Sequence, residues 1–390
     1  MPRIYFDNAA TTPPDPRVLE AMQPFLQRDW GNPSSLHREG CLAREAIETA
    51  RKQVAALLGA EPSEIVFTSS GTEADNLAIL GILPWESLPE CSLITSAIEH
   101  PAMLECCRWL ERRGLPVTYL PVDGEGQVNP ADLERALRPE TRLVSVMAAN
   151  NVTGTLQPIA ELARIASRHG ALFHTDAVQA ADKIPLDVRR MHIDLLSLSA
   201  HKLHGPKGVG ALFVRHGLKP SPLLHGGGQE GGLRSGTENV AGIVGFGRAA
   251  ELAQAEMAGE AARLVQIRDF LIESIVESFG NAYSIGARYR RLPGHICLGF
   301  AGQEGEAIKL LLDLDEQGIA VSSGSACSSH HAGQPSHVLQ AMGFDAARAR
   351  GSLRITLGRF NTQAEAERFL EVLPTAVGKM RSITSLAHAG

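Results

Sequence analysis

The feature that most constrains the fold is an alternation of short apolar runs with helix-like segments between about residues 60 and 215. Because strands that alternate with helices are typical of parallel sheets covered by helices, this pattern predicts an α/β fold with a mostly parallel sheet. The last two runs are joined by a short glycine-containing turn, which predicts an antiparallel pair. The seven runs are "EIVFTS", "SLITSA", "VTYLPV", "RLVSVMA", "ALFHTD", "IDLLSLS" and "VGALFV".

A second region follows a glycine-rich stretch and a long helical pattern at about 240–280. Beyond it, the runs "HICLGF", "IAVSSGS" and "LRITLG" read as new strands with helices between them, which predicts a smaller α+β domain. The sequence thus predicts a large domain over 15–257. The small domain is predicted to consist of 1–14 and 258–390, with the N-terminal arm packed on it.

Composition excludes several classes of protein. The 390 residues carry a formal net charge of −6, which argues against direct binding of nucleic acid. No apolar run is long enough to suggest a membrane span, and the N-terminal residues lack the pattern of a secretory signal. The six cysteines are scattered without CxxC pairs, so we expect a reducing, cytoplasmic environment.

Polar side chains follow five of the predicted strands at the point where each one ends. In open α/β sheets ligands bind beyond the carboxyl ends of the strands, so these side chains predict one polar ligand site. "SSGTEADN" also starts a helix, and a helix N-terminus with hydroxyl groups suits an anion. The polar residues at the strand ends are Ser70, Gly71, Thr72, Glu99, His100, Asn150, Asn151, Asp176, Gln179, Ser199, His201 and Lys202.

Each of these residues alone has an ordinary structural explanation. Thr72 suits a helix cap, and Lys202 suits a surface lysine whose stem is partly buried. Together they fit one cofactor, pyridoxal 5′-phosphate, which requires a lysine for its Schiff base and an acid beside its pyridine nitrogen. Lys202 supplies the amine and Asp176 the carboxylate. Thr72 forms the phosphate cradle together with Ser199 and His201.

The motifs resemble those of the cysteine desulfurases of the NifS/IscS-like group, in the class-V aminotransferase superfamily of fold type I. They occur in family order through nearly the whole chain, so the resemblance is specific. The matching stretches are "YFDNAATTP" (5–13), "GNPSSLHREG" (31–40), "IVFTSSGTEADNLAI" (65–79), "EH" (99–100), "NN" (150–151), "HTDAVQA" (174–180), "SAHKLHGPKGVGAL" (199–212), "HGGG" and "RSGTEN" (within 225–239), "SSGSAC" (322–327) and "SLRITLGR" (352–359).

The resemblance implies a role for each matching residue. Lys202 would form the Schiff base, and His100 would stack on the ring and transfer protons. Asn151, which also contacts the cofactor, would hold the substrate carboxylate with Arg354. Thr237 would reach the phosphate of a neighbouring subunit, which implies a homodimer. The other cofactor contacts would be Gly71, Thr72, Asp176, Gln179, Ser199 and His201.

Cys327 would be the nucleophile that removes sulfur from L-cysteine. The reaction implied by the resemblance converts L-cysteine to L-alanine and leaves a persulfide on Cys327. That sulfur would pass to an acceptor protein, either a scaffold for iron–sulfur clusters or a thiolation enzyme. A thiolate is the reactive form of cysteine, so nearby positive charge would favour this role.

Some features depart from the family pattern, and alternatives remain open. Val152 stands where the family usually has Glu, and Gly231 where it usually has Arg; His330 and His331 follow the nucleophile. Those two histidines with Cys327 also permit a metal site, although no fourth ligand is evident. A selenocysteine lyase or another pyridoxal-phosphate lyase is a second interpretation. A non-enzymatic scaffold that only binds partners is a third.

Overall fold

The computed structural model describes residues 3–303, 307–324 and 334–387, with side chains as far as residue 379. Its helices are α1 (Pro16–Gln27), α2 (Arg38–Leu58), α3 (Gly71–Ile82), α4 (Pro101–Glu111), α5 (Pro130–Ala136), α6 (Ile159–Arg168), α7 (Val240–Ser278), α8 (Ala307–Glu316), α9 (His337–Ala341), α10 (Ala346–Arg350) and α11 (Gln363–Ala387). Its strands are β1 (Ile4–Tyr5), β2 (Ile65–Thr68), β3 (Ser92–Ser96), β4 (Val117–Leu120), β5 (Thr141–Ser145), β6 (Leu172–Asp176), β7 (Leu195–Ser199), β8 (Gly210–Val214), β9 (Ala282–Ser284), β10 (His295–Phe300), β11 (Ile319–Ala320), β12 (Ser322–Ser323) and β13 (Leu353–Thr356).

The large sheet confirms the predicted α/β class. Its strand order is β2-β8-β7-β6-β5-β3-β4, and every strand except β8 runs in the same direction. The antiparallel β7–β8 pair is the one predicted from the glycine-containing turn. The carboxyl ends of six strands therefore meet at one edge, where the predicted polar residues lie.

Local sequence explains why helices begin at this edge. Ser70 caps α3 by accepting the backbone N–H of Glu73 on its hydroxyl oxygen, at 3.1 Å. His100 caps α4 through its ring, and Pro101 occupies the first turn, where the missing N–H of proline costs nothing. The capping residues Ser70 and His100 follow β2 and β3, so they lie at the edge of the sheet where the polar residues are.

The smaller part of the molecule contains a four-stranded antiparallel sheet in the order β12-β13-β10-β9. The N-terminal arm, residues 3–12, runs beside it: β1 pairs in parallel with β11, and Phe6 is fully buried among its apolar residues. The arm therefore packs on the C-terminal part of the chain.

Helix α7 joins the two parts. Phe246 in its first half lies in the apolar core of the large sheet, whereas Leu271 in its second half lies in the core of the smaller sheet. The domain limits at 14/15 and 257/258 stay predictions. Within the ranges described above, none of the helices combines the length and the apolarity that a membrane crossing needs.

Candidate active site

A cleft of about 490 Å³ lies where the strand ends of the large sheet face β13 and the N-terminal arm. Its walls include nearly all the residues predicted for the cofactor and substrate. The predicted residues among them are Gly71, Thr72, His100, Asn151, Asp176, Gln179, Ser199, His201, Lys202 and Arg354. Residues not assigned a role from the sequence also line it, namely Asp7, Ala9, Ala10, Ser70, Asp75, Met147, Val178 and Ser322.

Lys202 ends a short 3₁₀ turn that directly follows β7. Its Nζ donates hydrogen bonds to the carbonyl oxygens of Ala9, at 2.5 Å, and Ala10, at 2.8 Å. The chain then returns as β8 through Gly210, where a Cβ atom would lie 2.6 Å from the backbone of Ser70. A glycine is therefore required for the close approach that brings the lysine and the start of α3 together.

Asp176 lies at the end of β6 and is almost fully buried. One carboxylate oxygen accepts the backbone N–H of Val178 at 2.9 Å. Burial raises the pKa of this carboxyl group, while the hydrogen bond from Val178 and the positive charge of Lys202 oppose that rise. A buried acid in this position matches the pyridinium partner that pyridoxal phosphate requires.

Gln179 leaves one polar atom available to a ligand. Its Nε2 donates to the carbonyl of Ala9 at 2.9 Å, but its buried Oε1 has no hydrogen-bond partner among the residues that the structure describes. A buried oxygen without a donor is costly unless a ligand supplies one. The hydroxyl group on the ring of pyridoxal phosphate is such a donor, so this orphaned atom fits the cofactor.

The start of α3 forms an anion cradle with the end of β7. The first-turn amides of a helix have no acceptor within the helix, and Gly71 and Thr72 occupy that turn beside Ser199. A Cβ on Gly71 would lie 2.8 Å from Val178 and would fill part of the cradle. The space and the donors therefore fit a phosphate group.

His201 contributes to the cradle as a neutral group. Burial, reinforced by the charges of Lys202 and Lys207, lowers the pKa of its imidazole to about 4. Its Nδ1 lies 3.1 Å from the hydroxyl oxygen of Thr11. At neutral pH the ring can therefore offer a hydrogen bond to a phosphate oxygen but no full positive charge.

His100 is oriented by the helix that it caps. Its Nδ1 accepts the backbone N–H of Ala102 at 3.1 Å. The proton of the neutral ring is thereby directed to Nε2, the nitrogen that is left for a reacting group. This arrangement suits a side chain that covers a ring and transfers protons.

Arg354 lies on β13 and is 1% exposed. Its Nη1 donates to the carbonyl of Asn151 at 3.1 Å, and its Nη2 to Oδ1 of Asp7 at 2.9 Å. Its buried Nε has no partner among the described residues. A guanidinium in a cleft that still has an unused N–H donor can bind a carboxylate.

Two more buried acids lie beside the cleft. Glu99 is fully buried, and burial raises the pKa of its carboxyl group to about 8. Burial and the charge of Asp176 hold the pKa of Asp75 well above its usual range, although a hydrogen bond from Ser197 opposes them. The carboxyl group of Glu99 therefore favours the neutral form near pH 7, unlike most surface acids.

Among the described residues, one predicted site residue, Thr237, is not part of the walls of this cleft. Thr237 is exposed and lies outside the cleft of its own chain, so its predicted role depends on a second subunit. Cys327 lies outside the described residues, as do His330 and His331. The described residue Ser322, which lines the cleft, precedes Cys327 by five positions.

Comparison with known proteins decides the family. The model of the family "Aminotransferase class-V" matches residues 4–369. The chain belongs to the class-V aminotransferase family. It shares the fold type I architecture of that family and, like its members, it is a pyridoxal-phosphate enzyme.

Relatives within the family match over almost their whole length. The cysteine desulfurase IscS of Dictyoglomus turgidum is 50% identical over 381 residues, which cover 98% of this chain and 96% of that protein. The cysteine desulfurase IscS of Methanosarcina thermophila is 49% identical over 383 residues, covering 98% and 94%. A solved NifS-like protein superposes with a TM-score of 0.89 and 41% identity, covering 98% of this chain and all of that one.

Proposed function

We propose that this protein is a pyridoxal-phosphate-dependent cysteine desulfurase, which converts L-cysteine to L-alanine and transfers the sulfur to Cys327. The observation that carries the proposal is that the amine of Lys202, the carboxyl of Asp176 and the guanidinium of Arg354 line one cleft. The choice of L-cysteine as substrate is supported by the high sequence identity to enzymes named cysteine desulfurase.

The cofactor would be held by residues that line the cleft. Lys202 would bind its aldehyde carbon, Asp176 would pair with its ring nitrogen, and Gln179 would contact its ring hydroxyl. The start of α3 would bind its phosphate together with Ser199 and His201. When bound, pyridoxal phosphate supplies an electron-accepting ring that stabilises negative charge at the substrate α-carbon.

The chain's own residues perform the remaining tasks. Arg354 and Asn151 bind the α-carboxylate and so orient the α-carbon. The amine of Lys202 would remove the α-proton, and His100 would transfer protons through its Nε2. The thiolate of Cys327 would attack the substrate sulfur and form a persulfide. The electron pair of the broken carbon–sulfur bond would leave on the substrate β-carbon, which takes up a proton to give the methyl group of L-alanine.

The position of Cys327 in the chain is compatible with this attack. It follows Ser322, a residue of the cleft wall, by five positions. Five extended residues span at most about 18 Å, so the thiol is within reach of the cleft. The proposed role of Cys327 rests on its short separation in sequence from Ser322 and on the motif "SSGSAC".

A homodimer forms part of the proposal. Leu26, Trp30 and Leu36 are apolar side chains that are 67%, 76% and 88% exposed. Residues 33–34 line the same surface depression as residues 228–231 of the glycine-rich loop, which continues to the exposed Thr237. A second copy that covers this apolar face would bring Thr237 towards the neighbouring phosphate.

The sulfur acceptor is proposed to be a protein, either an iron–sulfur scaffold or a thiolation enzyme. We place the reaction in the cytoplasm. The five cysteines within the described ranges are all free thiols, which favours a reducing compartment. We propose no direct contact with nucleic acid or membrane.

Alanine formation from L-cysteine tests the proposal, with persulfide on the protein detected by mass spectrometry. We expect Cys327→Ala to lose alanine formation at least a hundredfold, because the thiolate is the attacking group. Cys41→Ala is the matched control, because Cys41 is a partly exposed thiol outside the cleft and we expect it to keep full activity. Full activity in Cys327→Ala would identify another nucleophile.

The alternatives give different results. A selenocysteine lyase would form alanine from selenocysteine in Cys327→Ala and would not use L-cysteine even in the unchanged protein. A binding scaffold would carry no cofactor. Borohydride reduction followed by peptide mapping distinguishes that case, because a reduced Schiff base on Lys202 is expected only of the enzyme.

A further inference from the structure

The N-terminal arm is part of the active-site wall, although the sequence motif "YFDNAATTP" suggested no role for it. The carbonyl of Ala9 accepts hydrogen bonds from Lys202 and Gln179. The hydroxyl oxygen of Thr11 lies 3.1 Å from the ring of His201. The arm thus touches three residues proposed to hold the cofactor.

Asp7 is the charged member of the arm and contacts the proposed carboxylate-binding residue. Its Oδ1 accepts a hydrogen bond from Nη2 of Arg354 at 2.9 Å, and the two form an ion pair. The side chain of Arg354 is 2% exposed and that of Asp7 is 21% exposed, so Asp7 bounds the cleft at its solvent side. No other carboxylate pairs with Arg354 among the described residues.

The guanidinium is fixed at two points. Nη2 donates a hydrogen bond to Asp7, and Nη1 donates one to the carbonyl of Asn151 at 3.1 Å. Two acceptors on different nitrogens fix the plane of the group, whereas one acceptor would leave it free to rotate. The Nε–H, which has no partner among the described residues, then remains for a ligand in a defined direction.

We propose that Asp7 is a positioning residue that holds the guanidinium of Arg354 in the orientation that binds the substrate α-carboxylate. This inference rests on the proposed function, because it assigns Arg354 to that carboxylate. A guanidinium held in one orientation binds the carboxylate without first losing rotational freedom, so Asp7 is expected to strengthen that binding.

Ligand binding to the holoenzyme tests the proposal without turnover. The two probes are L-alanine and L-alaninamide, which differ only in the carboxylate. We expect Asp7→Ala to weaken binding of L-alanine about tenfold, because a hydrogen bond to a charged group is lost, and to change that of L-alaninamide less than twofold. Asp7→Asn keeps an oxygen acceptor for Nη2, so we expect it to restore most of the affinity, to within about threefold.

A control variant distinguishes an effect on ligand binding from a general loss of stability of the arm. Arg3, on the same arm, forms an exposed ion pair with Asp315, which lies outside the cleft. We expect Asp315→Ala to bind both probes as the unchanged protein does. The absorbance of the bound cofactor and the unfolding temperature are measured for every variant, so that loss of cofactor or of fold is recognised.

Three results would overturn the inference. Equal weakening of both probes in Asp7→Ala would assign Asp7 a general structural role. Tighter binding of L-alanine would mean that Asp7 competes with the substrate for Arg354. An unchanged affinity for L-alanine would show that Asn151 alone orients the guanidinium. If the unchanged protein forms no alanine from cysteine, the proposed function fails instead, whatever Asp7 does.

Discussion

Three buried carboxyl groups beside the cleft differ in the contacts that oppose the effect of burial on their pKa. Asp75 and Glu99 each retain one oxygen without a hydrogen-bond partner among the described residues, and burial raises the pKa of both. Burial also raises the pKa of Asp176, but the hydrogen bond from Val178 and the charge of Lys202 counteract this rise. Asp176 is therefore the acid best placed to be ionised, as a protonated pyridine ring requires.

His174 illustrates how a neutral histidine under the cleft links stability to pH. It is fully buried on β6, where its Nδ1 lies 2.7 Å from the hydroxyl of Ser145 and its Nε2 lies 3.0 Å from that of Ser197. Burial lowers the pKa of its imidazole to about 3. Between this value and the ordinary histidine pKa, the unfolded chain binds a proton that the folded chain does not.

We therefore expect His174 to reduce the free energy of unfolding as pH falls. The proton taken up by the unfolded chain lowers that free energy by about 2 kcal/mol between about pH 6.5 and pH 4.5. Urea unfolding of His174→Gln should show a pH dependence smaller by about this amount, although the variant is less stable overall. His216→Gln, at an exposed histidine, is the control and should keep the full dependence. Equal slopes for all three proteins would contradict the interpretation.

Some of the site could be predicted from single residues, and some could not. The strand-end rule located Asp176 and Lys202, because position after a buried strand decides where such side chains lie. The carbonyl oxygens of Ala9 and Ala10 could not be predicted, because main-chain groups leave no trace in the residue type. The pairing of Asp7 with Arg354 could not be predicted either, because 347 positions in the sequence separate the two residues.

At the scale of elements, two ion pairs hold the glycine-rich loop at 225–236 to helices α2 and α3. Glu230 has a left-handed backbone, with φ of 48°, and its buried carboxylate accepts two hydrogen bonds from Arg51 on α2 and one from the N–H of Phe67 on β2. Arg234 pairs with Glu73 in the first turn of α3. The loop that leads to Thr237 is thus held between the helix of the phosphate cradle and α2.

We expect Glu230→Gln to lower the free energy of unfolding by about 3 kcal/mol, because it removes the buried carboxylate that pairs with the largely buried Arg51. Glu48→Gln is a matched control, since Glu48 pairs with the same arginine but has a 51% exposed side chain. That change should cost no more than about 0.5 kcal/mol. Urea unfolding gives both values. Equal losses in the two variants would mean that the burial of Glu230 is energetically unimportant.

The order of strands shows where element-level prediction stops. The seven runs of the large sheet and the antiparallel β7–β8 pair followed from periodicity and from the glycine-containing turn. The position of β2 at the edge beside β8, rather than beside β3, could not be predicted. Periodicity states which residues are buried in a strand, but neighbours in the sheet depend on contacts between distant segments.

At the scale of the whole molecule, the exposed apolar side chains around Trp30 predict the assembly. We expect Trp30→Asp to weaken the proposed homodimer at least tenfold, because a charge on an apolar interface loses its hydration. Sedimentation equilibrium measures the effect, and the cofactor should be retained less well because Thr237 would no longer reach the neighbouring site. Leu312→Asp, at an exposed leucine on α8, is the control. A Trp30→Asp protein that remains dimeric would place the interface elsewhere.

The arm also affects the order in which the molecule can be completed. Ile4 and Tyr5 pair with residues 319–320, and Asp7 with Arg354. On a ribosome, the arm emerges more than 300 residues before these partners. The large sheet can form in the meantime, but the wall that contains Asp7 and Ala9 cannot, so binding of cofactor and substrate should come only after Arg354 has been synthesised.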